Sequence, residues 1–397
     1  MNIAIIGSGV SGLSCAYHLM KKYPNWNITL IESESKLGGH ANTIKVNIDG
    51  VENKTDIGFM VFNRKTYPNF IEFTDKINAD LFKSNMSFSA TNNNKTWSSN
   101  KPFHLKNIVH NSKIFLEILK WNKCANRPSL ENETLGSFIE RNRFSKDFLE
   151  NYLLPMSCAI WSCDSNTILN FSASSFLSFI NNHGLSTLTN HPEWLSFIGG
   201  SKNYVNYIEN LLITNGNQIL LNTPVRTVKK DKDVYIINDD IKFNKLIFAT
   251  HTDISSELIK ELNDPRAEYL KKIKYSPSKI SVHSDESFMP IDKKLWCSWN
   301  TMSFEKNLIC TYWINNLQYV KSNKNIFVSL NCDVKNSYFE TNLSHPLLNS
   351  DALDARKKIN ELTLLNHNDV YFIGAWQGYG FHEDGWTSGK VLVNEIL

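Results

Sequence analysis

The chain has 397 residues, of which 42 % are apolar, 12 % aromatic and 20 % charged. That mixture excludes a disordered chain, a collagen-like repeat and a simple coiled coil, and the length predicts about two or three domains around a large core. Lys plus Arg number 42 and Asp plus Glu 39, leaving +3, and no long basic run supplies the phosphate neutralisation a dedicated nucleic-acid binder needs.

The first forty residues carry the strongest pattern. Ile3-Ala4-Ile5-Ile6 is a short, wholly apolar run, as expected of a strand covered on both faces. It ends in Gly7-Ser8-Gly9-Val10-Ser11-Gly12, after which Leu13, Ala16, Tyr17, Leu19 and Met20 recur at helical spacing. Tyr23-Pro24-Asn25 breaks the helix, Ile28-Thr29-Leu30-Ile31 reads as a second strand, and Glu32 stands at its end. Gly7 permits a tight turn, Gly9 lets a pyrophosphate approach the backbone, and Gly12 lets the helix sit close to the sheet. The helix N-terminus offers free N–H groups and the positive end of its dipole to phosphates. Glu32 can accept from ribose hydroxyls and would repel a 2′-phosphate. A lone glycine fingerprint is weak, but here strand, helix, second strand and acid are all in register.

Leu37-Gly38-Gly39-His40 follows. A second glycine pair so close to the ribose acid has no task in a plain NAD domain, whereas beside a dinucleotide it permits another backbone approach to the diphosphate. Thr55-Asp56-Ile57-Gly58-Phe59-Met60-Val61-Phe62-Asn63 comes after a turn at Asp49-Gly50. Thr91-Asn92-Asn93-Asn94 reads as a hairpin turn. Leu105, Ile108, Val109, Phe115, Leu116, Ile118 and Leu119 fall mostly on one helical stripe, with Lys101, Lys106, Lys113 and Lys120 around it. We read this as a core-facing amphipathic helix with solvated lysines; the alternative is a helix that dips into a membrane. Further helices begin near Leu135 and cover Phe171 to Phe179, and strands cover residues 246–250, 279–283, 308–314 and 326–330. The end of the chain reads Val370-Tyr371-Phe372-Ile373-Gly374, a strand into a glycine, then Gly380-Phe381-His382-Glu383-Asp384-Gly385-Trp386 and an apolar helix.

This ordered set resembles the flavoprotein superfamily of monoamine oxidases, phytoene desaturases and protoporphyrinogen oxidase. It is most similar to the flavin-binding oxidoreductase domain found alone in bacteria and as the N-terminal half of plant cyclopropane fatty-acid synthases. The specific pieces are Gly58 to Arg64 with Thr66-Tyr67-Pro68-Asn69, Asn132 to Gly136, Ile160 to Cys163, Thr311-Tyr312-Trp313, and Gly378 to Gly385. The resemblance runs along nearly the whole chain. It implies an α/β fold: a Rossmann-type, glutathione-reductase-like FAD-binding domain (residues 1–80, 195–252 and 366–397) with an inserted α+β substrate domain (81–194 and 253–365), amine-oxidase-like overall.

The resemblance also implies one FAD held in extended form. Glu32 would hold the adenosine ribose, and Gly9, Ser11, Gly12, Gly38 and Gly39 would line the diphosphate. Val225 would meet the adenine edge, and Gly58, Phe59 and Met60 would lie along the isoalloxazine. Gly385 and Trp386 would open the last helix and aim its N–H groups at the pyrimidine carbonyl of the flavin. Gly7, Ser33, His40, Thr250, Gly374, Glu383 and Asp384 complete the implied set. His40 stands where many members carry Arg, and Ala375 where many carry a ribityl-binding acid, so that contact moves to Glu383 or to backbone.

For catalysis the candidates are His382, Glu383 and Lys279. His382 has the right unperturbed pKa for proton transfer; Lys279 occupies a place similar to a water-bridged lysine of amine oxidases. Asp384 reads as a helix cap, and His283 as a satisfied sheet histidine. Three functions stay open. One is an FAD-dependent dehydrogenase or desaturase of an apolar substrate, plausible as a fatty-acyl chain or lipid. The second is an amine oxidase, and the third a redox partner subunit of a lipid methyltransferase. The seven cysteines show no CxxC and no zinc spacing, so free thiols in a reducing, cytoplasmic setting, no metal, and at most peripheral membrane contact are expected. No apolar run reaches the roughly 18 residues of a spanning helix, and a charged n-region is missing, so no signal peptide is expected.

Overall fold

A computed structural model describes residues 1–186, 192–304, 307–365 and 369–397. Its organising element is a five-stranded parallel sheet in the order Gln218–Leu220, Asn27–Ile31, Asn2–Ile6, Lys245–Phe248, Val370–Phe372. The apolar run at the N-terminus is the middle strand of this sheet, covered on both faces. Ile3 and Ile5 face one layer, with Leu13, Ala16, Ile208 and Trp386. Ala4 and Ile6 face the other, with Tyr235, Ile237, Ala355 and Ile359. A period of two therefore buries every residue from Ile3 to Ile6. Helices Val10–Lys22, Lys202–Thr214 and His382–Val391 form the first layer. An antiparallel meander (Val228–Asp231, Val234–Ile237, Ile241–Phe243) and helix Ser350–Leu365 form the second.

A second sheet has seven strands, in the order Phe339–Pro346, Tyr275–His283, Phe327–Leu330, Asn307–Trp313, Trp299–Phe304, Phe88–Asn92, Lys95–Ser98. All neighbours are antiparallel except Trp299–Phe304 with Phe88–Asn92. The last hairpin turns at Asn93 and Asn94, both left-handed at φ 48° and 62°. Asn tolerates that conformation, and two such residues give the twist a two-residue hairpin needs. Helices Ile108–Ala125, Leu135–Arg141, Leu154–Trp161 and Ala173–Asn182 pack around Trp121, Phe138, Phe148 and Phe176. No helix among the described residues is long and apolar enough to cross a membrane.

The stripe from Leu105 to Leu119 does not bury as one face of its helix: Ile118 is buried and Phe115 half-buried, and the other five members are exposed. Asn111, Ile114, Ile118 and Trp121 point inward, while Ile108, Val109, Leu116 and Leu119 are exposed. Two apolar stripes lie side by side on this helix, and the sequence alone does not say which one meets the core.

Candidate functional site

The two sheets enclose one cavity of about 1760 Å3, well above the roughly 300–1,000 Å3 of a drug-sized pocket. It begins at the turn between strand Asn2–Ile6 and helix Val10–Lys22, where Gly7, Ser8, Gly9 and Ser11 line it. Gly9 caps that helix with no side-chain hydrogen bond, so the first-turn N–H groups have no side-chain acceptor there. A Cβ on Gly9 would meet no protein atom within 4 Å; it would project into open space. Gly12 does a different job: a Cβ there would lie 2.0 Å from the Gly7 carbonyl oxygen. Gly12 faces the turn itself and does not line the cavity, and neither does Gly38, whose neighbour Gly39 does.

Glu32 ends its strand on the cavity wall. One carboxylate oxygen accepts the Ser8 N–H (2.9 Å) and hydroxyl (2.5 Å); the other accepts the Glu34 N–H (3.0 Å) and the Ser33 hydroxyl (3.1 Å). Four donors thus fix the carboxylate where a ribose would reach it. Ser33, Val225, Thr250 and Gly374 line the cavity as well.

Farther in, His40, Gly58, Phe59 and Met60 line the cavity together with His382. The His382 ring stacks on Phe59 at 3.5 Å and 5°, and its Nε2 hydrogen-bonds the Tyr204 hydroxyl at 2.7 Å. Burial, with His40 nearby, holds the His382 imidazole well below the ordinary histidine range, so it is neutral at pH 7. The structure adds two further histidines, His251 and His345, both on the cavity wall. The His40 and His345 rings are 5.0 Å apart, and His251 stacks on Tyr275 at 4.0 Å. Burial first, then His345 and His251, lower His40 to about 3; burial first, then His251, lowers His345 to about 4. The His251 imidazole is lowered by burial as well. His40 hydrogen-bonds the Ser344 carbonyl. Its Nε2 and the His345 Nδ1 are buried without any protein partner. These three chain positions lie 211 and 94 residues apart, which is why no local motif announces them.

Other candidate residues lie elsewhere. Glu383 is outside the cavity lining. Its carboxylate accepts the Asn69 N–H (2.9 Å) and Nδ2 (3.0 Å), the Phe70 N–H (3.0 Å) and the Thr387 hydroxyl (3.2 Å). It therefore caps the start of helix Pro68–Lys76 from another part of the chain, turned away from the cavity wall. Asp384 accepts the Tyr379 (3.0 Å) and Phe381 (2.9 Å) N–H groups and holds the loop before its helix. Burial pushes its carboxyl up to about 6. The last helix opens at His382, three residues before Gly385. The Gly385 N–H is spent on the Phe381 carbonyl, and Trp386 is fully buried against Phe73, ring centres 4.3 Å apart. Neither lines the cavity. Gly385 and Gly389 instead let two helices touch: Cβ atoms there would lie 2.6 Å from Val10 Cγ1 and 2.7 Å from the Cys15 nitrogen.

Lys279 is not in the cavity either. Strand alternation turns its neighbours Ser278 and Ile280 inward and Lys279 outward. There it pairs with Asp333 (2.8 Å) and Glu340 (3.3 Å), which raise its pKa. His283 is satisfied in the sheet by Ser329 Oγ (2.7 Å) and the Asp285 N–H (3.1 Å). All seven cysteines are free.

The far part of the cavity is apolar. Met86, Phe88, Phe115, Ile118, Met156, Ile160, Phe339 and Leu343 line it, with the edge-to-face pair Trp299–Tyr312 at 5.1 Å. An FAD fits these residues on three observations: the side-chain-free approach at Gly9, the fixed carboxylate of Glu32, and unpartnered ring nitrogens farther along the wall.

The model of the flavin containing amine oxidoreductase family matches residues 10–318. Among solved structures, putrescine oxidase bound to putrescine superposes with a TM-score of 0.70 at 14 % identity, covering 100 % of this chain and 99 % of that one. Cyclohexylamine oxidase from Brevibacterium oxydans IH-35A gives 0.67 at 12 %, covering 100 % and 99 %. A CLA-producing fatty acid isomerase from P. acnes gives 0.69 at 12 %, covering 100 % and 98 %. At these identities the likenesses establish the fold alone. No curated protein matches the sequence.

Proposed function

The chain belongs to the flavin-containing amine oxidoreductase family, and from that premise we propose that it oxidises an apolar substrate of the fatty-acyl class with FAD as cofactor. The observation that carries this reading is the charge of the cavity wall. Among the described residues, its carboxylates are Glu32 and Glu34 at the nucleotide end and Glu193, which already pairs with Lys83 at 2.5 Å. An ammonium substrate taken out of water needs a counter-charge or an aromatic cage, whereas an acyl chain needs only the apolar wall described above.

Bound FAD supplies a two-electron acceptor for a C–H hydride. In our reading the chain contributes the rest. Gly9, Ser11, Gly39 and Glu32 hold the nucleotide, and Val225 meets its base. Gly58, Phe59 and Met60 form the wall beside the reacting end. The apolar residues orient the substrate and exclude water. His40 and His345 offer unpartnered ring nitrogens on the cavity wall for holding a proton; in a neutral ring that donates through one nitrogen, the other is an acceptor. Support for the amine reading comes from the edge-to-face pair Trp299 and Tyr312 on the cavity wall, aromatic rings of the kind a cation cage needs.

Anaerobic mixing separates the readings. Free fatty acids or phospholipids should bleach the flavin of the loaded protein, and putrescine and cyclohexylamine should leave it yellow. Bleaching by the amines and not by acyl chains would overturn the acyl reading. Bleaching by neither, with tight binding to a lipid methyltransferase, would make the chain a redox partner instead.

A further inference from the structure

The outward face of helix Ile108–Ala125 is at odds with an ordinary solvated surface. Leu105 is 83 % exposed, Val109 71 % and Leu116 65 %, and Phe103 and Leu119 stand exposed beside them. Ile291, 93 % exposed, precedes Asp292, which reaches His104 at 3.4 Å and so brings a sixth apolar side chain to the same area. Scattered single apolar residues on a surface mean nothing; a contiguous group marks an interaction site.

The charges around the group say what covers it. Residues 101–125 hold five lysines (101, 106, 113, 120, 123) and one acid, Glu117, so five minus one gives +4 with His neutral. Lys106, Lys113 and Lys123 are exposed. A second copy of the chain would set lysines against lysines, because a two-fold interface apposes the same patch to itself. An anionic bilayer accepts both features together: apolar side chains enter the acyl boundary, and lysine stems extend along it while their ammonium groups reach phosphates.

We propose that this face, helix Ile108–Ala125 with the turn before it, seats the protein peripherally on an anionic lipid bilayer. The inner side of the same helix supplies Phe115, Ile118 and Asn122 to the cavity wall, so the docked face and the cavity are separated by one helix diameter, about 10 Å. The docking depends on the patch and not on which substrate is oxidised.

Flotation of the flavin-loaded protein with phosphatidylcholine vesicles, with and without phosphatidylglycerol, tests this. The wild type should float with the anionic vesicles. L105S/V109S/L116S should lose roughly tenfold or more of that partition. K106Q/K113Q should lose roughly fivefold per lysine on anionic vesicles and little on neutral ones. None of the five residues lines the cavity or the core, so flavin content and melting temperature should match the wild type and serve as folding controls. A wild type that stays in solution with anionic vesicles, or a triple serine variant that floats as well as the wild type, would overturn the proposal. A wild-type dimer that the serine substitutions dissociate, without vesicle binding, would overturn it in favour of a second copy. These outcomes are independent of the bleaching experiment.

Discussion

Gly9→Ala separates the cofactor's needs from those of the fold. The added methyl meets no protein atom within 4 Å, and Gly9 sits at φ −64°, open to alanine. The unliganded protein should therefore lose only the helix-capping difference between glycine and alanine, about 0.5–1 kcal/mol, a few degrees in melting temperature at most. The methyl does project into the cavity beside the helix N-terminus. If a diphosphate lies against that backbone, overpacking of about 1–3 kcal/mol should weaken FAD roughly 5- to 150-fold. Gly12→Ala is the contrast. Its Cβ would stand 2.0 Å from a backbone oxygen that no rotamer change can move, so it should cost about 3 kcal/mol of stability and lower the melting temperature with or without flavin. Fluorescence titration of the apoprotein with FAD gives the affinities, and thermal unfolding gives the stabilities. A Gly9→Ala protein that binds FAD as the wild type does would refute the placement of the diphosphate.

The remaining predictions concern single side chains. Lys279→Ala removes two exposed or partly exposed ion pairs, so it should cost about 1 kcal/mol or less and leave the flavin spectrum and kcat unchanged; a large fall in kcat would restore Lys279 to the site. Glu383→Ala strips the cap from helix Pro68–Lys76 and should cost about 1–2 kcal/mol in chemical denaturation. His382→Phe keeps the stack on Phe59 but leaves the buried Tyr204 hydroxyl without its partner, a loss of about 1–3 kcal/mol; the wild-type pH–rate profile should show no His382 ionisation between about pH 6 and 8, since its pKa lies below that window. Burial holds the Asp56 carboxyl at about 6, against 3.8 when unfolded. Between those pH values the folded protein keeps a proton that the unfolded chain has lost, so this group's contribution declines as pH rises through the window. Wild-type stability relative to Asp56→Asn should fall by about 2 kcal/mol from pH 4 to pH 7; a rise would contradict the sign.

What could be read in advance follows from range. The strand–glycine–helix–strand–acid unit is local, and its strands and helix appear at Asn2–Ile6, Val10–Lys22 and Asn27–Ile31. The apolar runs near 246 and 370 could be recognised as strands, and both join the same sheet. Where a role depends on which way a side chain turns, the sequence was silent or misleading. Lys279 has a suitable position along its strand and the wrong face. Glu383 neighbours His382 but turns away to Asn69 and Phe70. The helix of residues 108–125 carries two apolar stripes of similar strength, and only tertiary packing chose Ile114, Ile118 and Trp121 as the inner one. His251 and His345 reach His40 only through the crossing of distant strands.

The account stands on a flavin dinucleotide lying along the cavity from Gly9 to His382. Denaturing the purified, desalted protein and quantifying what it releases tests this most directly. One FAD per chain is the predicted yield; protein that carries no flavin, and takes up none on incubation with FAD, would contradict the account.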